Sequence, residues 1–140
     1  WKMLREGLSD LEDRFILPEP TPNSDPSWFG FILTVREDAG FTRDEIVNYL
    51  ESNGIQTRML FAGNIIKHPC FDEMRKNAQG FRNASASRSN HYAFYSLPVT
   101  DRVMRDSFWV GVYPGLSEMH IDFMVRKIKD FINKDRIPKL

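Results

Sequence analysis

The side chains here with the type and setting for chemistry are mainly arginines. Arg58 lies in the string Gln56-Thr57-Arg58-Met59-Leu60-Phe61-Ala62-Gly63-Asn64, and alternation along an extended chain puts it on the face opposite Met59. A guanidinium inside an apolar strand is costly unless it meets an anion or leaves the core. Its planar fork suits phosphate or carboxylate. The plainer alternative is an edge-strand arginine in solvent. Arg102 and Arg105 stand just ahead of another apolar run, flanked by Asp101 and Asp106. They read either as anion-binding arginines at a domain edge or as a solvated i,i+3 and i,i+4 charge network. His68, followed by Pro69, is a candidate ligand or base as well as an ordinary surface residue. His91 lies in polar sequence, and His120 falls in the first turn of the last helix, where positive charge is disfavoured. Spacing joins neither of them to His68.

Other chemistries find no carrier. The sequence has no Gly-rich phosphate loop, no HExxH pair and no GxSxG elbow. Gly111 and Gly115 bracket a strand end and a turn. Cys70 is the single cysteine, which excludes an internal disulfide and a four-cysteine metal site; no metal site is expected, and a reducing, cytoplasmic setting is. The 140 residues balance 19 basic against 19 acidic side chains, so the excess of base typical of nucleic-acid or acidic-membrane binders is missing. No apolar run reaches the roughly 18 residues of a spanning helix. With 13% aromatic residues the chain is expected to collapse into one compact domain. It opens on Trp1 in helix-like sequence, and we expect it to be a piece of a longer protein holding only part of an active site.

These residues need elements to position them. Leu4, Leu8, Leu11 and Phe15 recur at helical period, so residues 1–16 read as an amphipathic helix ended by Leu17-Pro18. Residues 18–27 hold four prolines and form a stiff connector. Trp28 to Val35 reads as a strand, apolar enough for burial on both faces. Thr42 and Glu45 form a capping box, with Phe41 placed to staple against Ile46 and Gly54 as the left-handed stop. Ile55 to Phe61 reads as a second strand, and residues 70–77 as a short helix. Residues 78–91 read as a polar loop, and the Asn83 glycosylation sequon within it carries little weight without a secretory signal. Asp101 to Asp106 reads as a short helix and Phe108 to Tyr113 as a third strand. Ser117 caps a last helix striped by Ile121, Met124, Val125, Ile128 and Phe131. Phe61, Trp109 and Tyr113 are expected in the core or an interface. The order suggests a small two-layer α/β sandwich, with strand direction undecided.

Three segments carry a further signal: Leu17 to Phe31, Gln56 to Asn64, and Thr100 to Leu116 with its Phe108-Trp109-Val110-Gly111-Val112-Tyr113-Pro114-Gly115 run. They resemble the C-terminal part of sugar-nucleotide 3-dehydratases of the DegT/DnrJ/EryC1/StrS group, most nearly the branch acting on CDP-linked 4-keto-6-deoxyglucose in lipopolysaccharide biosynthesis. The resemblance runs over residues 1–69 and 97–133, and residues 70–96 fall outside it.

The resemblance implies the small C-terminal domain of a fold-type I, pyridoxal-phosphate aminotransferase-like enzyme. Residues 1–17 would end the interdomain helix, 18–134 would form the small domain with a flexible loop over 78–96, and 135–140 would be a tail. The group's chemistry removes the 3-hydroxyl of a nucleotide-linked 4-keto-6-deoxyhexose with pyridoxamine phosphate. The cofactor and any [2Fe-2S] cluster would sit in a large domain absent from this chain, so no catalytic residue is assigned here. Arg102 would contact an anionic part of substrate or cofactor. Arg58, Phe61 and Asn64 would face the nucleotide-sugar pocket, with His68 a further candidate. Implied partners are the nucleotide sugar, the large domain, a second subunit in a homodimer and an iron–sulfur reductase. Two alternatives stay open: a sugar aminotransferase of the same group, and a non-catalytic ligand-binding or dimerisation module.

Overall fold

The computed structural model describes residues 1–74, 76 and 97–134. The expected loop over 78–96, with Asn83 and His91, and the 135–140 tail lie outside the described residues.

Four short strands form one antiparallel sheet: β1 (Phe15–Ile16), β2 (Gly30–Val35), β3 (Thr57–Met59) and β4 (Ser107–Gly111), in the order β1-β2-β4-β3. Opposite Phe31, Ile32 and Leu33 of β2 stand Val110, Trp109 and Phe108 of β4. That register sends Phe31, Leu33, Phe108 and Val110 to one face, where all four are fully buried. Ile32 and Trp109 go to the other face with Ile16 and Arg58. The expectation of a strand buried on both faces is therefore corrected: β2 alternates, and Ile32 is 37% exposed.

Helices α1 (Lys2–Gly7), α2 (Arg43–Ser52) and α4 (Glu118–Lys134) supply the other half of the core, and a fourth, α3 (Pro98–Asp106), precedes β4. Leu4, Leu8, Ile46, Leu50 and Ile128 are fully buried among the sheet residues. Helix α2 begins at the expected box. Thr42 caps Glu45 N–H, and the Glu45 carboxylate accepts from Thr42 N–H at 2.6 Å and from its hydroxyl at 2.8 Å. It ends as Gly54 turns left-handed at φ +78°, while Ile55 N–H reaches Leu50 O and Gly54 N–H reaches Glu51 O. Phe41 packs edge-on against Phe15 and Phe131.

The opening segment differs from the expected helix of residues 1–16. Its stripe is buried as the period demands, but the α-helix stops at Gly7, a 3₁₀ turn covers Ser9–Leu11, and Phe15 becomes a strand residue. Two causes are visible. Gly7 has low helix propensity, and a Cβ there would lie 2.8 Å from Val125 Cγ2, so the glycine is what admits α4 so closely. Phe15 and Ile16 then find Val35 and Thr34 as ladder partners. The second expected strand also shortens, to Thr57–Met59, and the third to Ser107–Gly111. The expected short helix at 70–77 opens with a 3₁₀ turn at Pro69–Phe71 and continues as α-helix at 72–74 and 76.

Candidate functional site

The five candidate residues fall on two adjoining pieces: the segment from β3 through His68, and α3. Strand β3 lies at the sheet edge, and Arg58 on it is exposed. Arg58 stands across the ladder from Trp109, on the outer face. The core side of β3 is Thr57, whose N–H and hydroxyl both donate to Glu51 Oε1, at 2.6 and 2.8 Å. Those two bonds hold the Glu51 carboxyl below the usual carboxylate range.

Phe61 follows in a left-handed conformation, φ +32°, with 77% of its surface exposed. A bulky side chain rarely takes this backbone without a compensating contact. Here its ring joins an aromatic trio: Phe29 at 6.3 Å and 19° from parallel, and Trp109 at 6.2 Å. Phe29 packs on Trp109 at 4.5 Å, and Trp109 Nε1–H donates to Met59 O at 3.2 Å. Gly30 makes this packing possible, because a Cβ there would lie 2.1 Å from Trp109 Cε3. The trio borders an apolar cavity of about 180 Å³ with Pro18 and Ile32. Phe61 also borders a second apolar cavity of about 370 Å³, between the loop and Val99, Val103 and Met104 of α3. Of the expectation that Phe61 and Tyr113 are core or interface residues, the core half is corrected, since Tyr113 is 64% exposed as well.

Asn64 is not a pocket-facing group. It is 1% exposed, and its Nδ2 donates to Asp101 Oδ1 at 2.7 Å. Lys67 Nζ meets the same oxygen at 2.8 Å. Lys67 and then Asn64 hold the Asp101 carboxyl below its ordinary value. The ring of His68 turns back on the loop, with Nε2 2.7 Å from Ala62 O, so Nε2 carries the proton.

Arg102 lies one residue beyond Asp101. Its side chain is 37% exposed, and Nε stands 3.9 Å from Glu37 Oε1, an ion-pair distance too long for a hydrogen bond. Nε is buried without a hydrogen-bond partner among the described residues. The expected charge network within α3 is thus largely replaced by pairs that leave the helix, from Asp101 to Asn64 and Lys67 and from Arg102 to Glu37. Arg105 pairs with its neighbour Asp106, which strengthens its protonation. Sequence reasoning placed Asp101 in a charge network without its link to Asn64, and gave no part here to Met104 or Phe29. Only Asp101 left a signal, as an acid placed beside the candidate arginine.

The fold, with its antiparallel sheet and helical layer, defines a class: it is that of part of the pyridoxal-phosphate aminotransferases. An aminotransferase, TlmJ, from Streptoalloteichus hindustanus superposes with TM-score 0.67 at 13% identity, over 97% of this chain and 31% of that one. A GDP-4-keto-6-deoxymannose-3-dehydratase (ColD) variant with bound GDP-perosamine gives 0.65 at 18%, over 91% and 28%. The chain belongs to the DegT/DnrJ/EryC1/StrS aminotransferase family, which it matches over residues 1–129. That span takes in residues 70–96, which the motif resemblance left out. The dTDP-4-dehydro-2,6-dideoxy-D-glucose 3-dehydratase of Saccharopolyspora spinosa is 48% identical over 96% of this chain, and the lipopolysaccharide biosynthesis protein RfbH of Salmonella typhimurium is 40% identical over 91%. The chain spans 26% of the length of each of these two relatives.

Proposed function

We propose that this chain is the small C-terminal domain of a sugar-nucleotide 3-dehydratase, which removes the 3-hydroxyl of a nucleotide-linked 4-keto-6-deoxyhexose in deoxysugar and O-antigen synthesis. The observation that carries the proposal is the 48% identity, over nearly the whole chain, to a protein described as a 3-dehydratase. In this reading Arg102 pairs with an anionic group of the substrate through the part of its guanidinium that reaches solvent, the side chain being 37% exposed. Arg58, exposed on the edge strand, offers a second guanidinium, and the Phe61 ring offers an apolar surface to sugar or base. Asn64 and His68 serve by shaping the loop between them.

Pyridoxamine phosphate supplies an electron sink for such a reaction when it is bound. The two cavities beside Phe61 do not fit the cofactor: they are lined almost wholly by apolar groups, which cannot hold a phosphate. In this reading the cofactor is held mainly by parts of the protein beyond this chain. An iron–sulfur cluster does not fit here either, because it takes about four thiolates and the sequence has only Cys70. If the protein uses one, with its reductase, that too belongs elsewhere. Homodimer formation and a cytoplasmic setting complete the proposal; no described helix is long and apolar enough to cross a membrane.

The test uses the intact protein with pyridoxamine phosphate and a 4-keto-6-deoxyhexose nucleotide, with no amino donor. Loss of water by mass spectrometry is the expected result. Amine transfer on adding glutamate, with no water loss, would make the protein an aminotransferase instead.

A further inference from the structure

We infer that Asp101 is a positioning residue: one of its carboxylate oxygens clamps the loop carrying Phe61 and His68 to the first turn of α3, and so sets where Arg102 presents its guanidinium. The inference rests on the proposed role of Arg102 as an anion partner.

Helix α3 needs such a clamp. It contributes no buried residue, so the core does not hold it, and its N-cap Leu97 makes no side-chain cap hydrogen bond. Among the described residues, directional bonds fasten it at two places. At the N-terminal end, Asp101 Oδ1 accepts from Asn64 Nδ2 at 2.7 Å and from Lys67 Nζ at 2.8 Å. Towards the other end, Asn64 N–H points at Met104 Sδ at 3.3 Å, and Arg43 donates to Met104 O at 2.8 Å. Gly63 fits beneath Met104 only for want of a side chain, because a Cβ would lie 2.6 Å from Met104 Cγ. Arg102 sits between these two attachments.

Within the clamp, Asn64 is the stronger arm. The Lys67 pair is solvent-exposed, the lysine side chain being 55% accessible, and such pairs contribute little alone. The Asn64 bond is buried on the amide side and charged on the other, which makes it strong. The amide cannot turn over, since that would set Oδ1 against the Asp101 carboxylate. Its Oδ1 is already buried without a partner among the described residues, so loss of Asp101 would leave both ends of the amide unpaired there and push the loop away from α3. Among the described residues Arg102 has a single ion-pair contact, 3.9 Å to Glu37, so it takes its place from the helix.

Two measurements on the intact protein test this. The first is amide hydrogen exchange over residues 98–106, which does not depend on any reaction. Asp101→Ala should raise it tenfold or more and Asp101→Asn, which can still accept from Asn64, much less. Unchanged exchange in Asp101→Ala overturns the clamp. The second is a double-mutant cycle on the dehydration assay. Arg102→Ala should raise KM about tenfold; Asp101→Ala should raise it about fivefold with kcat changed less than twofold; and the double variant should be no worse than Arg102→Ala. Multiplying effects would mean that Asp101 does not act through Arg102, and would overturn the inference. If no water is lost, or if Arg102→Ala leaves KM alone, the functional reading fails instead, and exchange alone decides whether the clamp exists.

Discussion

The two sides of the sheet are built on different principles. On the inner side, Phe31, Leu33, Phe108 and Val110 meet the helices in apolar packing, and caps end α2 at both ends. On the outer side and beyond the β3 edge, the loop and α3 are held by individual hydrogen bonds to Asp101 and Met104, and large rings stand in solvent. Many small dispersion contacts make the first side hard to shift. A few directional contacts make the second side accurate in geometry yet easy to unfasten. The contrast suggests that the outer region was shaped for contact with something besides its own core.

Substitutions can break or sharpen this contrast. The largest effect is expected on the inner side: Phe31→Ala should cost about 3–5 kcal/mol, because the cavity it leaves is walled by fixed neighbours, and urea denaturation would read it as a lower midpoint. Gly30→Ala attacks the outer side through Trp109. The added methyl must displace the indole or the strand, at about 1–3 kcal/mol, and tryptophan fluorescence should shift to report that it moved. Thr42→Ala removes the α2 cap for about 0.5–2 kcal/mol, seen as loss of helix by circular dichroism. Phe61→Gly should have the opposite sign to Phe31→Ala. Relief of a left-handed aromatic leaves stability unchanged or raised by about 1 kcal/mol, while substrate affinity falls. A stability loss there as large as at Phe31 would erase the distinction between the two sides.

The smallest effect is acid sensitivity. Glu45, Glu51 and Asp101 all have folded-state pKa values lowered, by Thr42, by Thr57, and by Lys67 with Asn64 respectively. A lowered folded pKa stabilises the fold above the ordinary carboxylate range, and that stabilisation is lost as pH falls through the folded value. Stability should therefore decline below about pH 4.5, and Glu51→Gln should flatten the decline measured by denaturation at stepped pH.

Legibility followed the same division. The capping box, the Gly54 stop and the stripe on α4 were readable because local bonds and helical period fix them regardless of the rest of the chain. The Leu4 to Phe15 stripe named the right buried residues but the wrong backbone, since a strand partner and a close helix crossing decided the latter. The string from Arg58 to Asn64 was recognised as a unit, but the opposite directions taken by its side chains were not legible. Nothing local tells that Asn64 turns inward to Asp101 while Phe61 turns outward. Phe29 was read as one residue of a buried strand, although it lies just before β2 and 67% of its surface is open.

The strand order has a consequence for how the chain assembles. Strand β4 lies between β2 and β3, although both precede it by a long stretch of sequence. As the polypeptide emerges from the ribosome, β2 and β3 wait with open ladders until β4 slots between them. Sheet closure is thus a late, non-local event, and folding should be slow for a domain of this size. A chain stalled before Ser107 would display two unsatisfied strand edges, the surface on which aggregation starts.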